Sequence, residues 1–404
     1  MDINRNLSWE QINVNSENVS KVQNVFQYEI DVHTVPSHQM STGRCWLFAG
    51  LNCMRIPFIK QYNLNEAFEF SANYLTFWDK YEKCKYFLET YPNVKIKRVK
   101  DLLLNKPVID GGQWHMFVNL VNKYGVVPKE CYYESHAASN TDKLDRILNH
   151  KVKSCIKHNK SIDVCMNEIY DILVKYMGTP PEKFTWSFRD KDNNFNRIRN
   201  ISPQLFYILY VSDYYDVNNY VNVINDPRNK YDTFYTVDYF TNVLNTSGPM
   251  YYNMEMNELK NNLEMSISLN EPIWIGCDIY KYTSRLFCLS GKSFYNDDDE
   301  DEMSKAERLE MMDSVVNHAM VMHGYTKGEN TQYWKLENSW GTNGPYRGYY
   351  IADDKWIDEY VYQAILPKKI VKKINTPNKS IKYKKSIKKY PVWDPFGKIR
   401  VTAF

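Results

Sequence analysis

A chain of 404 residues with 43% hydrophobic and 25% charged residues has ample material for one large or two ordinary globular domains. That composition excludes disorder, collagen and long coiled coils. The 51 Lys and Arg against 48 Asp and Glu leave only +3, so no global field draws nucleic acid or a membrane, and such a partner must meet a local patch.

Residues 1–38 are polar and mixed, without the charged-then-apolar layout of a signal peptide, and no apolar run approaches the roughly 20 residues of a membrane span. Eight cysteines, at 45, 53, 84, 131, 155, 165, 277 and 288, form no CxxC pair. Both features predict a soluble, cytoplasmic protein with reduced thiols, each by default a small buried hydrophobe.

From Cys45 the run CWLFAGLNCMRIPFI predicts a buried helix that bends or ends at Pro57. Residues 62–105 read as helical, with aromatics three and four apart, and DGGQW at 110–114 interrupts them. A helix over Met116 to Tyr124 follows, capped by Gly125. Residues 141–176 read as one long amphipathic helix ended by Pro180 and Pro181, and 184–249 as a mixture of strands and loops. A helix from Met256 to about Leu269 precedes an apolar strand at 272–279, and the acidic run at 297–302 reads as a solvated loop before a helix near Ser304. Two late strands complete the pattern, 314–325 and 333–338. In the second, Asn338 shares a face with Trp334 and Leu336, and a buried amide there needs a partner. Residues 368–389 hold ten lysines and no acid, and removing those ten charges from +3 leaves −7 on the remainder. This basic linker leads to a distinct closing segment at 390–404.

A catalytic thiolate needs a lowered pKa, a base for its proton, a group orienting that base, and donors for the oxyanion. Cys45 falls in the first turn of its helix, where the dipole favours a negative sulfur. Gln39, six positions earlier, can donate from its amide beside the Cys45 backbone N–H. His318 can take the proton, and Asn338 can accept from the other ring nitrogen and fix the tautomer.

The blocks QMSTGRCWLFA at 39–49, NHAMVMHGY at 317–325 and ENSWG at 337–341 resemble, in order, the active-site blocks of papain-like cysteine peptidases. FWDK at 77–80, DGGQW at 110–114, YGVVPK at 124–129, TPPEKFTW at 179–186, NDPR at 225–228, KAERLE at 305–310 and WDPFG at 393–397 resemble the bleomycin hydrolase and aminopeptidase C branch. The likeness runs from about residue 20 to 397. Cys45 and His318 lie 273 positions apart against roughly 130–150 in papain-like enzymes, so a large insertion is expected between them.

The resemblance implies an α+β, two-lobed papain-like fold with a mostly helical insertion and a C-terminal arm. It divides the chain into a helical lobe with the nucleophile at 1–135, the insertion at 136–255, a β-rich lobe with His318 and Asn338 at 256–366, and linker plus arm at 367–404. It implies a cytosolic aminopeptidase of broad specificity for short peptides, with amide drugs such as bleomycin as incidental substrates and no cofactor. Cys45, His318, Asn338 and Gln39 are its expected catalytic residues. Gly111 and Gly112 are expected to pair with substrate backbone, Trp340 to shield the Asn338–His318 hydrogen bond, and the carboxylate of Phe404 to meet the substrate's free amine. The tail runs several residues past the point where relatives stop, which suggests that the enzyme either trims its own tail or starts partly self-blocked. Homohexamers are implied, and the 368–389 lysines suggest binding to single-stranded nucleic acid.

Other residues read more plainly. His323 and Asp110 are expected to be structural, the latter a turn residue. His150, Cys155, His158 and Cys165 do not follow zinc-ligand spacing, so no metal is expected.

Overall fold

The computed structural model describes residues 8–296, 303–328, 332–374 and 387–397. The chain divides into two compact units, one of residues 39–220, 236–250 and 389–404, the other of 1–38, 221–235 and 251–388.

The first unit is built on the helix Cys45–Tyr62, whose side chains from Cys45 to Ile56 are all buried. A helix that is apolar on every side has to be enclosed. Pro57 neither ends nor replaces it: the helix runs on to Tyr62. A missing N–H inside a helix costs about 3 kcal/mol, and burial of Ile56, Phe58 and Ile59 around it offsets that loss. The helix Ala72–Thr90 begins at Ser71, whose hydroxyl accepts the Tyr74 N–H at 3.1 Å. It buries four charged residues, Asp79, Lys80, Glu82 and Lys83. Trp114–Tyr124 follows and ends at Gly125 with φ +71°, a conformation that favours glycine.

The stretch expected as one helix is two, Asp142–Lys157 and Ile162–Met177. Asn159 takes a left-handed φ of 51° in the break, and Ser161 caps the second helix on the Val164 N–H. Folding back lets Leu148, Val152, Ile169 and Leu173 close over Phe77, Cys84 and Phe87. The same hairpin corrects the expectation of reduced thiols throughout. Cys155 and Cys165 form a disulfide with their Cα atoms 6.3 Å apart. A ten-residue separation spanning a helical turnaround puts them face to face, which spacing along the chain does not reveal. The poorly periodic region then supplies an antiparallel hairpin, Phe184–Arg189 with Phe195–Ile201.

The second unit is organised by a sheet. In order across it run Tyr251–Asn253, Tyr220–Ile224, Val361–Pro367, Ile273–Cys277, His318–Lys327, Gln332–Glu337 and Tyr349–Asp353. Ile273–Cys277 and His318–Lys327 are antiparallel, with His318 opposite Cys277. Both strands are buried on both faces, which explains their unbroken apolar character. The helix Met256–Ser268 sets Leu259, Leu263 and Ile267 into this core. Among the described residues, no helix is long and apolar enough to cross a membrane.

Candidate active site

Cys45 is the first residue of its helix and is 3% exposed. The positive end of the helix dipole therefore lies at its sulfur-bearing residue. The loop leading to it closes on itself. The Gln39 side-chain amide donates to the Thr42 carbonyl, and the Thr42 hydroxyl donates to the Gln39 carbonyl at 2.6 Å. Arg44, also buried, fastens the loop from beneath, donating to Thr42 Oγ1 at 3.1 Å, Thr76 Oγ1 at 3.2 Å and Glu134 Oε1 at 2.7 Å. These bonds hold Gln39 and Cys45 in one rigid turn.

The glycine loop belongs to the same unit. Trp46 donates its indole N–H to the Asp110 carbonyl at 2.8 Å, and Gly112 rests so close to the indole that a Cβ at that position would lie 2.3 Å from its nearest carbon. Lys83 donates to the carbonyls of Ile109 at 2.9 Å and Gly111 at 2.8 Å, and to Asp79 at 2.6 Å. Burial outweighs its carboxylate partner, and the Lys83 pKa is lowered. Asp110 is more than a turn residue. Its carboxylate accepts the Gly43 N–H at 3.0 Å, Lys80 Nζ at 2.5 Å and the Thr141 hydroxyl. Burial opposes its charge, but Lys80, Thr141 and the Gly43 N–H prevail and hold the carboxyl well below its usual range. Asp145 also pairs with Lys80, and there burial dominates and pushes the carboxyl up to about 6.

In the other unit, His318 opens its strand and Asn338 follows the neighbouring one. Asn338 Oδ1 receives the Ser339 backbone N–H at 2.8 Å and lies 2.8 Å from His318 Nε2. A backbone N–H can only donate, so the atom it meets is the amide oxygen and not the nitrogen. The His318 atom facing that oxygen must then carry its proton, which leaves Nδ1 as the basic nitrogen of the neutral ring. Trp340 lies against the imidazole with ring centres 4.9 Å apart, and the Arg285 guanidinium sits 4.3 Å above the indole. Burial lowers the His318 pKa to about 4, with the Asn338 bond opposing and the Arg285 charge assisting.

A polar chain supports the start of the His318 strand. Tyr362 donates to Ser314 at 2.7 Å, Ser314 donates to Asp278 at 2.8 Å, and Asn317 donates to the other Asp278 oxygen. The Ile279 N–H returns to the Asn317 side chain at 3.0 Å. His323 is buried and paired with Glu337 at 2.7 Å, and Glu337 also accepts from Thr34.

The structure thus gathers Gln39, Cys45, Gly111 and Gly112 in one unit, and His318, Asn338 and Trp340 in the other. Phe404 lies outside the described residues. Sequence reasoning missed Arg44, Lys80, Lys83 and Asp278. The available signal was the charge run in FWDKYEKCK: charged residues on every face of a helix must be paired wherever that helix is enclosed. Among the described residues, no three His, Cys, Asp or Glu side chains are grouped to hold a metal ion.

Comparison with known proteins gives one consistent result. The Peptidase C1-like family matches residues 3–397. The chain is 37% identical to a bleomycin hydrolase of Mus musculus, covering 94% of this chain and 89% of that protein. It is 35% identical to aminopeptidase C of Lactococcus lactis, covering 94% and 90%. Among solved structures, PepW from Lactobacillus rhamnosis superimposes with a TM-score of 0.87 at 32% identity, covering 96% of this chain and 91% of that one.

Proposed function

This chain belongs to the Peptidase C1-like family, and on that footing we propose that it is a cysteine aminopeptidase removing N-terminal residues from short peptides with broad specificity. The single observation that supports the chemistry best is the pair of donors converging on Asn338 Oδ1, which leaves His318 with a basic Nδ1.

The Cys45 sulfur attacks the first peptide carbonyl, and its proton passes to His318 Nδ1. Gln39 and the Cys45 N–H stabilise the tetrahedral oxyanion. The C–N bond then breaks as His318 protonates the leaving amine, and a thioester remains. His318 next takes a proton from water, hydroxide adds to the thioester, and the carboxylic acid leaves as the thiol is restored. Gly111 and Gly112 pair with substrate backbone, and Trp340 keeps water from the His318–Asn338 bond.

The same reading assigns the arm's terminal carboxylate, that of Phe404 or, after trimming, of the residue that then ends the chain, to the substrate's free amine. The arm's root is held by the Arg98 guanidinium, 3.7 Å above Trp393. The fold and the two named enzyme groups support the aminopeptidase reading, and the family resemblance alone extends it to a cytoplasmic homohexamer with bleomycin-like amides as incidental substrates. Nucleic-acid binding by the 368–389 lysines has less support, since Lys369, Lys373 and Lys389 already pair with Glu271, Asp232 and Glu258, and Asp238.

Hydrolysis of a free-amine aminoacyl fluorogenic amide is the test, beside its N-acetylated twin, by wild type and Cys45→Ala. Cleavage of the free form alone, abolished in the variant, is the expected result. Cleavage of both forms removes the arm from the reading and keeps the nucleophile.

A further inference from the structure

Asp110 joins three segments. Its carboxylate receives Gly43, two residues before Cys45, together with Thr141 and Lys80. Its own carbonyl receives the indole of Trp46, the residue after Cys45. It stands directly before Gly111 and is only 8% exposed. The nucleophile's loop and the glycine loop are therefore bound through one residue, on both sides of Cys45.

We propose that Asp110 is a positioning residue, which sets the spacing between the oxyanion donors at Gln39 and Cys45 and the substrate-binding backbone at Gly111 and Gly112. The inference rests on the roles given to those residues above. An acyl acceptor must sit against the sulfur, the oxyanion donors and the glycine backbone together, and small misplacements are costly in rate. Lys83 fixes the carbonyls on either side of Asp110, and its ammonium lies 5.3 Å over the Trp46 indole. The Asp110 carboxylate supplies the directed hydrogen bond to Gly43, on the side of Cys45 that Trp46 does not reach. Its ionised form matters because both oxygens then accept, one taking Lys80 and the other Gly43 and Thr141. An asparagine at this place offers a single acceptor oxygen for those three donors, while Lys80 keeps Asp145 as a partner.

Two electrophiles separate positioning from general damage. Iodoacetamide alkylates Cys45 without needing the oxyanion donors or the glycine backbone, whereas an aminoacyl chloromethyl ketone with a free amine must dock against both. The ratio of the two inactivation rates is the readout, measured on folded enzyme as judged by circular dichroism. Asp110→Asn is expected to lower that ratio by about tenfold or more, with iodoacetamide reactivity within about threefold of wild type. A ratio within about twofold of wild type overturns the proposal. So does an equal fall in both rates, because that is the signature of a merely structural role.

If Asp110→Asn does not fold, Thr141→Val removes one bond to the same oxygen, and a fall in the ratio of about threefold is expected. An unchanged ratio in that variant overturns the proposal as well. The outcome is separable from failure of the aminopeptidase reading, which shows instead as wild-type cleavage of N-blocked amides with the Asp110→Asn ratio still reduced.

Discussion

His318 and Ser339 donate to the same atom: Nε2 of one and the backbone N–H of the other each lie 2.8 Å from Asn338 Oδ1. The backbone thereby reads out the orientation of the amide, and the amide fixes the tautomer of the ring. Asn338→Ala is accordingly expected to lower kcat/KM by about ten- to a hundredfold, part of the roughly 10²–10⁴-fold that a positioned base supplies. Steady-state kinetics on a free-amine fluorogenic amide checks this. Asn338→Asp places a charge at the same spot and should raise the His318 pKa, seen as an upward shift in the acid limb of the rate profile.

His318 also carries an acid sensitivity. Its folded pKa of about 4 lies below the ordinary 6.5, so the unfolded chain binds the extra proton first as pH falls. The associated stability is fully present above 6.5 and is lost as pH falls toward 4. Its size is about 3 kcal/mol, an order-of-magnitude figure. His115 is lowered in the same direction, also to about 4 and also by burial. Urea unfolding as a function of pH should show a shallower acid loss for His318→Gln than for wild type.

Gly112 has no room for a side chain above Trp46. Gly112→Ala must displace either the indole, which also binds Asp110, or the glycine loop. A loss of about 1–3 kcal/mol is expected, the usual range for overpacking. Activity should fall with it, and the combination of calorimetry and kinetics gives the check. Full activity with unchanged melting would exclude a fixed Trp46.

Cys155 and Cys165 close a short loop between two helices. A bridge of that loop length is worth about 2–3 kcal/mol in the chain-entropy account. Calorimetry with and without reductant should therefore show a lower melting temperature on reduction, while Cys155→Ala/Cys165→Ala should not respond to reductant. Alkylation with mass analysis under non-reducing conditions tests the bridge itself. Two free thiols at these positions would remove it.

The fold class and the order Gln39, Cys45, His318, Asn338 are legible in the sequence because each sits in a local block whose neighbours are diagnostic. The start of the Cys45 helix, Gly125 as a cap, the helix from Met256 and the capped turn at Ser304 follow from short-range rules and agree with the structure. Asn338 needed a partner, and His318 is that partner. The break at 158–161 was less legible, because amphipathic spacing continues on both sides and only Ser161 marks a new start. The bonds of Asp110 were not legible. Lys80 and Gly43 lie 30 and 67 positions away, and no local pattern announces a buried ion pair between distant segments. Pro57 does not end its helix for a related reason: enclosure outweighs the local rule for a helix stop.

The enclosed charges of the helix Ala72–Thr90 bear on how this molecule can change over time. Lys80 answers two carboxylates, and Lys83 answers one carboxylate and two carbonyls, with both ammonium groups buried and only Asp145 of these side chains partly exposed. Replacing Lys80 leaves Asp110 and Asp145 without their cation, at a typical cost of about 3–5 kcal/mol, whereas loss of Asp110 or Asp79 leaves the facing lysine another acceptor, so single-step drift is most tightly closed at Lys80. Related chains should therefore keep the set whole or exchange its members together, and pairwise covariation among positions 79, 80, 83, 110 and 145 is where the history of this loop would be written.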